Sequence, residues 1–225
     1  MFCAVNGVKL WVRVTGEGAP LVLLHGNGED HTIFDELTRA IGSEFRVYAP
    51  DLRCHGRSGA GALDYDEMTR DVSELIRLEG LDRPLVVGFS DGGIIGLKLA
   101  AEEPARIGGL IACGANAEPE GLKKSFLLAA RARYLATRSK KLKLMLTGPH
   151  IPEGTLNAIR VPVLIAAGEK DVVRLQETLR IRNAIPGAEL RIFDGADHDG
   201  YVAGSARLAN TVRVFAARCA ARRAD

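Results

Sequence analysis

Apolar residues occur along this chain in two patterns that alternate. Short, mostly unbroken runs at 21–24, 45–49, 85–87, 107–113, 161–167 and 190–193 are rich in Val, Ile and Leu and lack polar alternation. Such runs are expected of strands covered on both faces. Between them apolar residues return with helical spacing: Ile33, Phe34, Leu37 and Ile41, then Tyr65, Met68, Val72, Leu75 and Ile76. The segments 93–101 and 175–185 also predict helices, and Leu208, Val212, Phe215 and Cys219 form the buried stripe of a closing one. Gly80 and Pro186-Gly187 are placed to end two of these helices. At the start, 2–5 and 8–14 flank Asn6-Gly7, a two-residue hairpin signal. Strands alternating with helices predict an α/β fold: a mostly parallel sheet of about eight strands with helices on both faces. We expect a single domain over 1–225, interrupted by a short helical cap at about 117–160, where no strand signal occurs.

Composition narrows the class without naming a reaction. Hydrophobic content of 47% and charged content of 26% are ordinary for a globular chain of 225 residues. A net charge of +2 does not suggest a nucleic-acid partner. The four cysteines (Cys3, Cys54, Cys113, Cys219) lack paired spacing, which argues against disulfide or metal frameworks. The first residues lack the basic and apolar regions of a signal peptide, and no apolar run is long enough for a membrane span. A reduced, cytoplasmic setting without membrane association is expected.

The chemistry concentrates where predicted strands end. Gly88-Phe89-Ser90-Asp91-Gly92-Gly93 follows the 85–87 run and opens the 93–101 helix, the strand–turn–helix context of G-x-S-x-G. A serine there is held out at the strand end beside the first N–H groups of a helix. Serine needs a base to take its proton, and the base needs an acid to hold its tautomer. Asp171, after the 161–167 run, is the acid candidate, and His198, after the last strand, is the base. Glu169 is a nearby rival for the acid, and Glu118 and Glu120 are more distant ones. The backbone N–H groups of Asp91 and Asn27 are the candidate oxyanion hole, worth ~3 kcal/mol per donor to a tetrahedral intermediate. Gly26 and Gly28 are expected to let the 25–28 loop approach, His25 to order that loop, and His31 and His55 to have no evident partner. His150 has two readings, a residue reaching the pocket from the cap or, the favoured one, part of a surface turn.

These motifs, HGNG at 25–28, DLRCHGRS at 51–58, GFSDGG at 88–93, GEKD at 168–171 and the histidine loop at 196–200, resemble the α/β-hydrolase fold superfamily over nearly the full length. GFSDGGIIGLKLA with IACGAN is similar to the biphenyl hydrolase-like branch, which includes valacyclovir hydrolase. The resemblance implies serine hydrolase chemistry, and nothing in the chain suggests a metal or an organic cofactor. Because the elbow residue is Ser90, it argues against the carboxylate nucleophiles of related dehalogenases and epoxide hydrolases. Cys54 stands where the superfamily usually has glycine, so any unusual backbone angle there would store strain.

Asn27, Gly28 and Asp91 are the expected substrate-binding residues. Asp91 has two readings: a carboxylate that pairs with a substrate ammonium, as the resembled branch implies, or a first-turn acid that favours the helix dipole. The cap has two as well. Lys123, Lys124, Arg131, Arg133, Arg138, Lys140, Lys141 and Lys143 face no acidic residue between 121 and 150. They are either a solvated face over Leu122, Phe126, Leu127, Tyr134 and Leu142, or an attraction for an acidic acyl-carrier protein or coenzyme A thioester. The leading expectation is hydrolysis of small carboxylic or amino-acyl esters. Its alternatives are a thioesterase or carrier-bound ester hydrolase, and a slow or non-catalytic receptor on the same fold.

Overall fold

A computed structural model describes residues 1–224. Eight strands, β1 (Phe2–Val5), β2 (Val8–Thr15), β3 (Ala19–Leu24), β4 (Phe45–Pro50), β5 (Leu85–Phe89), β6 (Gly109–Cys113), β7 (Val163–Gly168) and β8 (Glu189–Phe193), form one sheet. Their order is β1-β2-β4-β3-β5-β6-β7-β8. Pairing is antiparallel for β1–β2 and β2–β4 and parallel from β4 through β8. The hairpin turns at Asn6 and Gly7, both with positive φ (38° and 78°), as a two-residue turn matched to strand twist requires.

Eight helices complete the described residues: α1 (Asp35–Ile41), α2 (Tyr65–Leu78), α3 (Asp91–Glu102), α4 (Lys124–Thr137), α5 (Lys140–Thr147), α6 (Glu153–Asn157), α7 (Leu175–Ala184) and α8 (Ala209–Ala224). The apolar stripe of α2 packs with α3, α6 and α7 over one face of the sheet. The other face is covered by Phe34, by Leu37 and Ile41 of α1, and by Val212, Phe215 and Cys219 of α8. Buried on both faces, β5 and β6 have no exposed position, which is why their sequences are continuous apolar runs. The edge strand β8 is only partly covered.

Some boundaries differ from the sequence expectation for identifiable reasons. β7 begins at Val163 because Pro162 has no N–H to give the ladder; its carbonyl still accepts from Leu110 N at 2.9 Å. β6 begins at Gly109, after a 3-10 turn at Pro104–Arg106. α3 starts at Asp91, two residues earlier than the apolar pattern suggests.

The segment between β6 and β7 holds α4, α5 and α6. Beneath it Leu122 and Leu127 are buried with Val173. Phe126, Tyr134 and Leu142 are only half-buried, and Leu128 and Leu135 of α4 are 71% and 65% exposed. The expected packing of all five apolar residues under the cap is therefore only partly realised.

Candidate active site

Ser90 sits between β5 and α3 with φ 52° and ψ −115°, a region L-residues rarely occupy. Its N–H donates to the Cys113 carbonyl at 2.8 Å and its carbonyl accepts from Ile94 N at 3.0 Å, so both flanking elements fix the turn. Glycine is required on either side. A Cβ on Gly88 would lie 2.1 Å from the Gly92 carbonyl oxygen, and one on Gly92 would lie 2.1 Å from that of Leu24.

The loops after β7 and β8 bring Asp171 and His198 to this turn. His198 Nδ1 is 2.6 Å from Asp171 Oδ1, and Nε2 is 3.2 Å from Ser90 Oγ. With Nδ1–H donating to the carboxylate, Nε2 is left to accept the serine proton. The longer Nε2–Oγ distance is ordinary for such a pair without substrate. Asp171 is 3% exposed and also accepts from Val173 N at 2.9 Å and Gly168 N at 3.2 Å. The imidazole lies against the Phe89 ring, centroids 4.9 Å apart, and a Cβ on Gly114 would come within 2.8 Å of its Cε1. The rival acids lie elsewhere: Glu169 accepts from Gly195 N, Glu118 pairs with His150 at 3.2 Å, and Glu120 is exposed.

The 25–28 loop faces the same turn. A Cβ on Gly26 would meet Ser90 Cβ at 3.0 Å, so Gly26 permits the close approach. Gly28 does not share that role. It is exposed, with φ 81° and nothing within 4 Å of an added Cβ, so only its backbone angle calls for glycine. His25 orders the loop as expected: Nδ1 donates to Gly26 O at 2.8 Å and Nε2 accepts from Leu52 N at 2.9 Å. Burial lowers its pKa to about 4, so it stays neutral. Half-buried Asn27 donates its side-chain amide to Lys141 O at 3.0 Å, a tie between this loop and α5 that the sequence did not reveal.

Asp91 is a buried acid in the first turn of α3. It is 2% exposed, and its Oδ1 accepts from the Tyr65 hydroxyl at 2.9 Å. Its Oδ2 has no hydrogen-bond partner among the described residues. Burial pushes its pKa up to about 6, against the opposing pull of Tyr65, the nearby Asn27 amide and His198. Tyr65 was read from sequence only as part of a helix stripe. Nothing in the stripe pattern marks the buried partner of its hydroxyl.

The remaining histidines are also partnered, contrary to expectation. His31 Nδ1 meets Asp51 Oδ1 at 2.6 Å, and His55 Nδ1 donates to Arg53 O at 2.9 Å. Arg53 in turn forks onto buried Asp71 with two 2.7 Å bonds, which gives the 51–58 motif a structural role. Cys54 has φ 63°, so the strain expected for a non-glycine residue there is present. Asp30, His31 and Asp51 bring ligand-type atoms within 4.8 Å of one another. Those of Asp30 and Asp51 are already engaged by Thr32, His31 and Arg57 N–H groups. No described helix is long and apolar enough to cross a membrane.

Residues 21–153, more than half of the chain, match the model of the alpha/beta hydrolase family, and the chain belongs to that family. The AB hydrolase superfamily protein YisY of Bacillus subtilis is 26% identical over 255 residues, spanning 92% of this chain and 95% of that protein. A shorter match, 36% identical over 104 residues, joins 45% of this chain to 39% of the pimeloyl-[acyl-carrier protein] methyl ester esterase of Cronobacter sakazakii. In fold the chain is similar to the enol-lactonase of Burkholderia xenovorans LB400 (TM-score 0.80, 22% identity, 96% of this chain and 100% of that one).

Proposed function

We propose that this protein is a serine hydrolase that cleaves small carboxylic esters, amino-acyl esters among them, through an acyl-enzyme on Ser90. The observation that carries the reading is the hydrogen-bonded series Ser90–His198–Asp171 at the C-terminal ends of β5, β8 and β7. Ser90 Oγ attacks the ester carbonyl as His198 Nε2 takes its proton, and Asp171 stabilises the imidazolium. The oxyanion is met by the backbone N–H groups of Asp91 and Asn27. His198 returns the proton to the departing alcohol. It then activates a water that releases the acid and regenerates Ser90. Asn27 and Gly28 border the acyl group from the 25–28 loop.

A substrate ammonium is assigned to Asp91. The carboxylate lies buried directly after Ser90, and above pH about 6 it carries the charge that draws such a group toward the site. The test is a fluorophosphonate label with peptide mapping, alongside a panel of p-nitrophenyl and aminoacyl esters. Labelling and turnover that both vanish in Ser90→Ala support the reading. Label on another serine overturns the nucleophile, and label on Ser90 without turnover points to a receptor on the same fold.

A second reading, hydrolysis of carrier-bound acyl esters or thioesters, is favoured by the outer face of α4. There the exposed Leu128 and Leu135 share a face with Lys124 and Arg131, both also exposed. The partial likeness to a carrier-protein methyl ester esterase supports it. On this reading, charge reversal at Lys124 and Arg131 raises KM for a carrier-bound substrate in a salt-dependent way and leaves small esters unaffected.

A further inference from the structure

A cavity of about 510 Å³ opens between the 61–66 segment at the start of α2 and the cap helix α5, and none of the residues placed above at Ser90, His198 or Asp171 lines it. Apart from two lysines, its charged groups all have partners, although Asp64 keeps its negative charge. Lys98 bonds Asp66 at 2.8 Å and Glu102 at 2.7 Å, His150 pairs with Glu118, and Asp64 caps α2 by accepting from Asp66 N and Glu67 N. Lys140 and Lys143 are left over. They stand one turn apart on α5, and among the described residues neither ammonium has an acidic partner.

Their position runs against the local rules of helix stability. The first turn of α5 holds Lys140, Lys141 and Lys143 and no acidic residue. Cations at a helix N-terminus oppose the macrodipole, and neighbouring like charges repel. A departure of this kind without a compensating partner marks a site where function sets the residue choice. One wall of the cavity is Tyr65, whose hydroxyl donates to Asp91, the residue after Ser90. The cavity thus lies one side chain away from the nucleophile turn.

We infer that this cavity binds the carboxylate or phosphate group of a small molecule, held by Lys140 and Lys143. The anionic group belongs either to the far end of the ester substrate or to a separate ligand. Only the choice between these sources rests on the hydrolase reading; the binding site itself does not.

Calorimetric titration of the full chain with succinate and with inorganic phosphate at low ionic strength tests the site. Saturable binding is expected, weakened at least about tenfold in Lys140→Gln/Lys143→Gln. It should be preserved in Lys124→Gln/Arg182→Gln, which removes the same charge elsewhere. No saturable binding by the wild type, or equal weakening by both pairs, overturns the inference, whatever the protein does to esters. Kinetics then separates the sources. If the anion is the substrate's own end, succinate mono-p-nitrophenyl ester has a lower KM than p-nitrophenyl butyrate, and Lys140→Gln/Lys143→Gln erases the difference. If it is a separate ligand, succinate alters turnover of the neutral ester without competing with it, and Tyr65→Phe weakens that effect while succinate still binds.

Discussion

Asp91→Asn should make the protein more stable at neutral pH, and the gain should vanish in acid. The side chain is 2% exposed, with one oxygen held by Tyr65 and the other unpartnered. Burial raises its pKa from 3.8 to about 6. A group whose native pKa lies above its unfolded value binds more protons when folded. Its stabilising effect is therefore complete below pH 3.8 and is lost as pH rises to about 6. At ~1.4 kcal/mol per tenfold change in proton affinity, ionised Asp91 costs the fold about 3 kcal/mol above pH 6.

Asparagine keeps an oxygen for the Tyr65 hydroxyl and removes the charge. It places an N–H where Oδ2 had no partner, which takes back about 1 kcal/mol. The net gain expected at pH 8 is therefore ~2 kcal/mol, closing to zero or slightly negative at pH 3.5. Urea unfolding of both proteins across pH 3.5–8 measures it directly. A difference that does not change with pH, or a variant less stable at pH 8, would refute the idea that Asp91 is a buried charge held at a cost. The same variant should lose the preference for amino-acyl over des-amino esters, at least roughly tenfold, while still cleaving the latter because the backbone N–H remains.

Asp171→Asn should lower kcat by about 10⁴-fold, since an amide cannot hold His198 in the required tautomer. Glu169→Gln, at a residue whose carboxylate meets Gly195 N, should change it little; steady-state turnover ranks the two. Gly92→Ala forces a Cβ to within 2.1 Å of the Leu24 carbonyl oxygen and should cost ~3 kcal/mol or prevent folding. Gly28→Ala meets nothing and should cost about 1 kcal/mol, the backbone term alone, by chemical denaturation. Cys54→Gly should raise stability by ~0.5–1 kcal/mol, because φ 63° strains the native residue more than glycine's added chain entropy costs.

The parallel core was readable because its physics is local. A strand covered on both faces must be apolar throughout, and β3, β5 and β7 announce themselves as such runs. The elbow was readable for a similar reason. Only glycine fits where Gly92 meets Leu24 and Gly88 meets Gly92, so spacing alone marks the turn. Pairings between distant positions left no such trace. Tyr65 and Asp91 are joined by a hydrogen bond across 26 residues, and each separately obeys an ordinary rule, one as a helix-stripe aromatic and the other as a first-turn acid. His31 and Asp51 went unseen in the same way. In α4 apolar residues fall on several sides, so the pattern could not say that Leu127 turns inward and Leu128 outward.

Several departures from local preference meet at the site, while others fall at Cys54, Trp11 and Thr15. Ser90 holds a positive φ, Asp91 buries a carboxylate oxygen without a partner, and α5 opens on three lysines. These features are linked through contacts: Ser90 precedes Asp91, Asp91 takes the Tyr65 hydroxyl, Tyr65 lines the cavity beside α5, and Asn27 bonds the carbonyl of Lys141. A fold selected for stability alone would relax each of them with a single substitution. Their contiguity around one end of the sheet is what function imposed on a stable scaffold looks like.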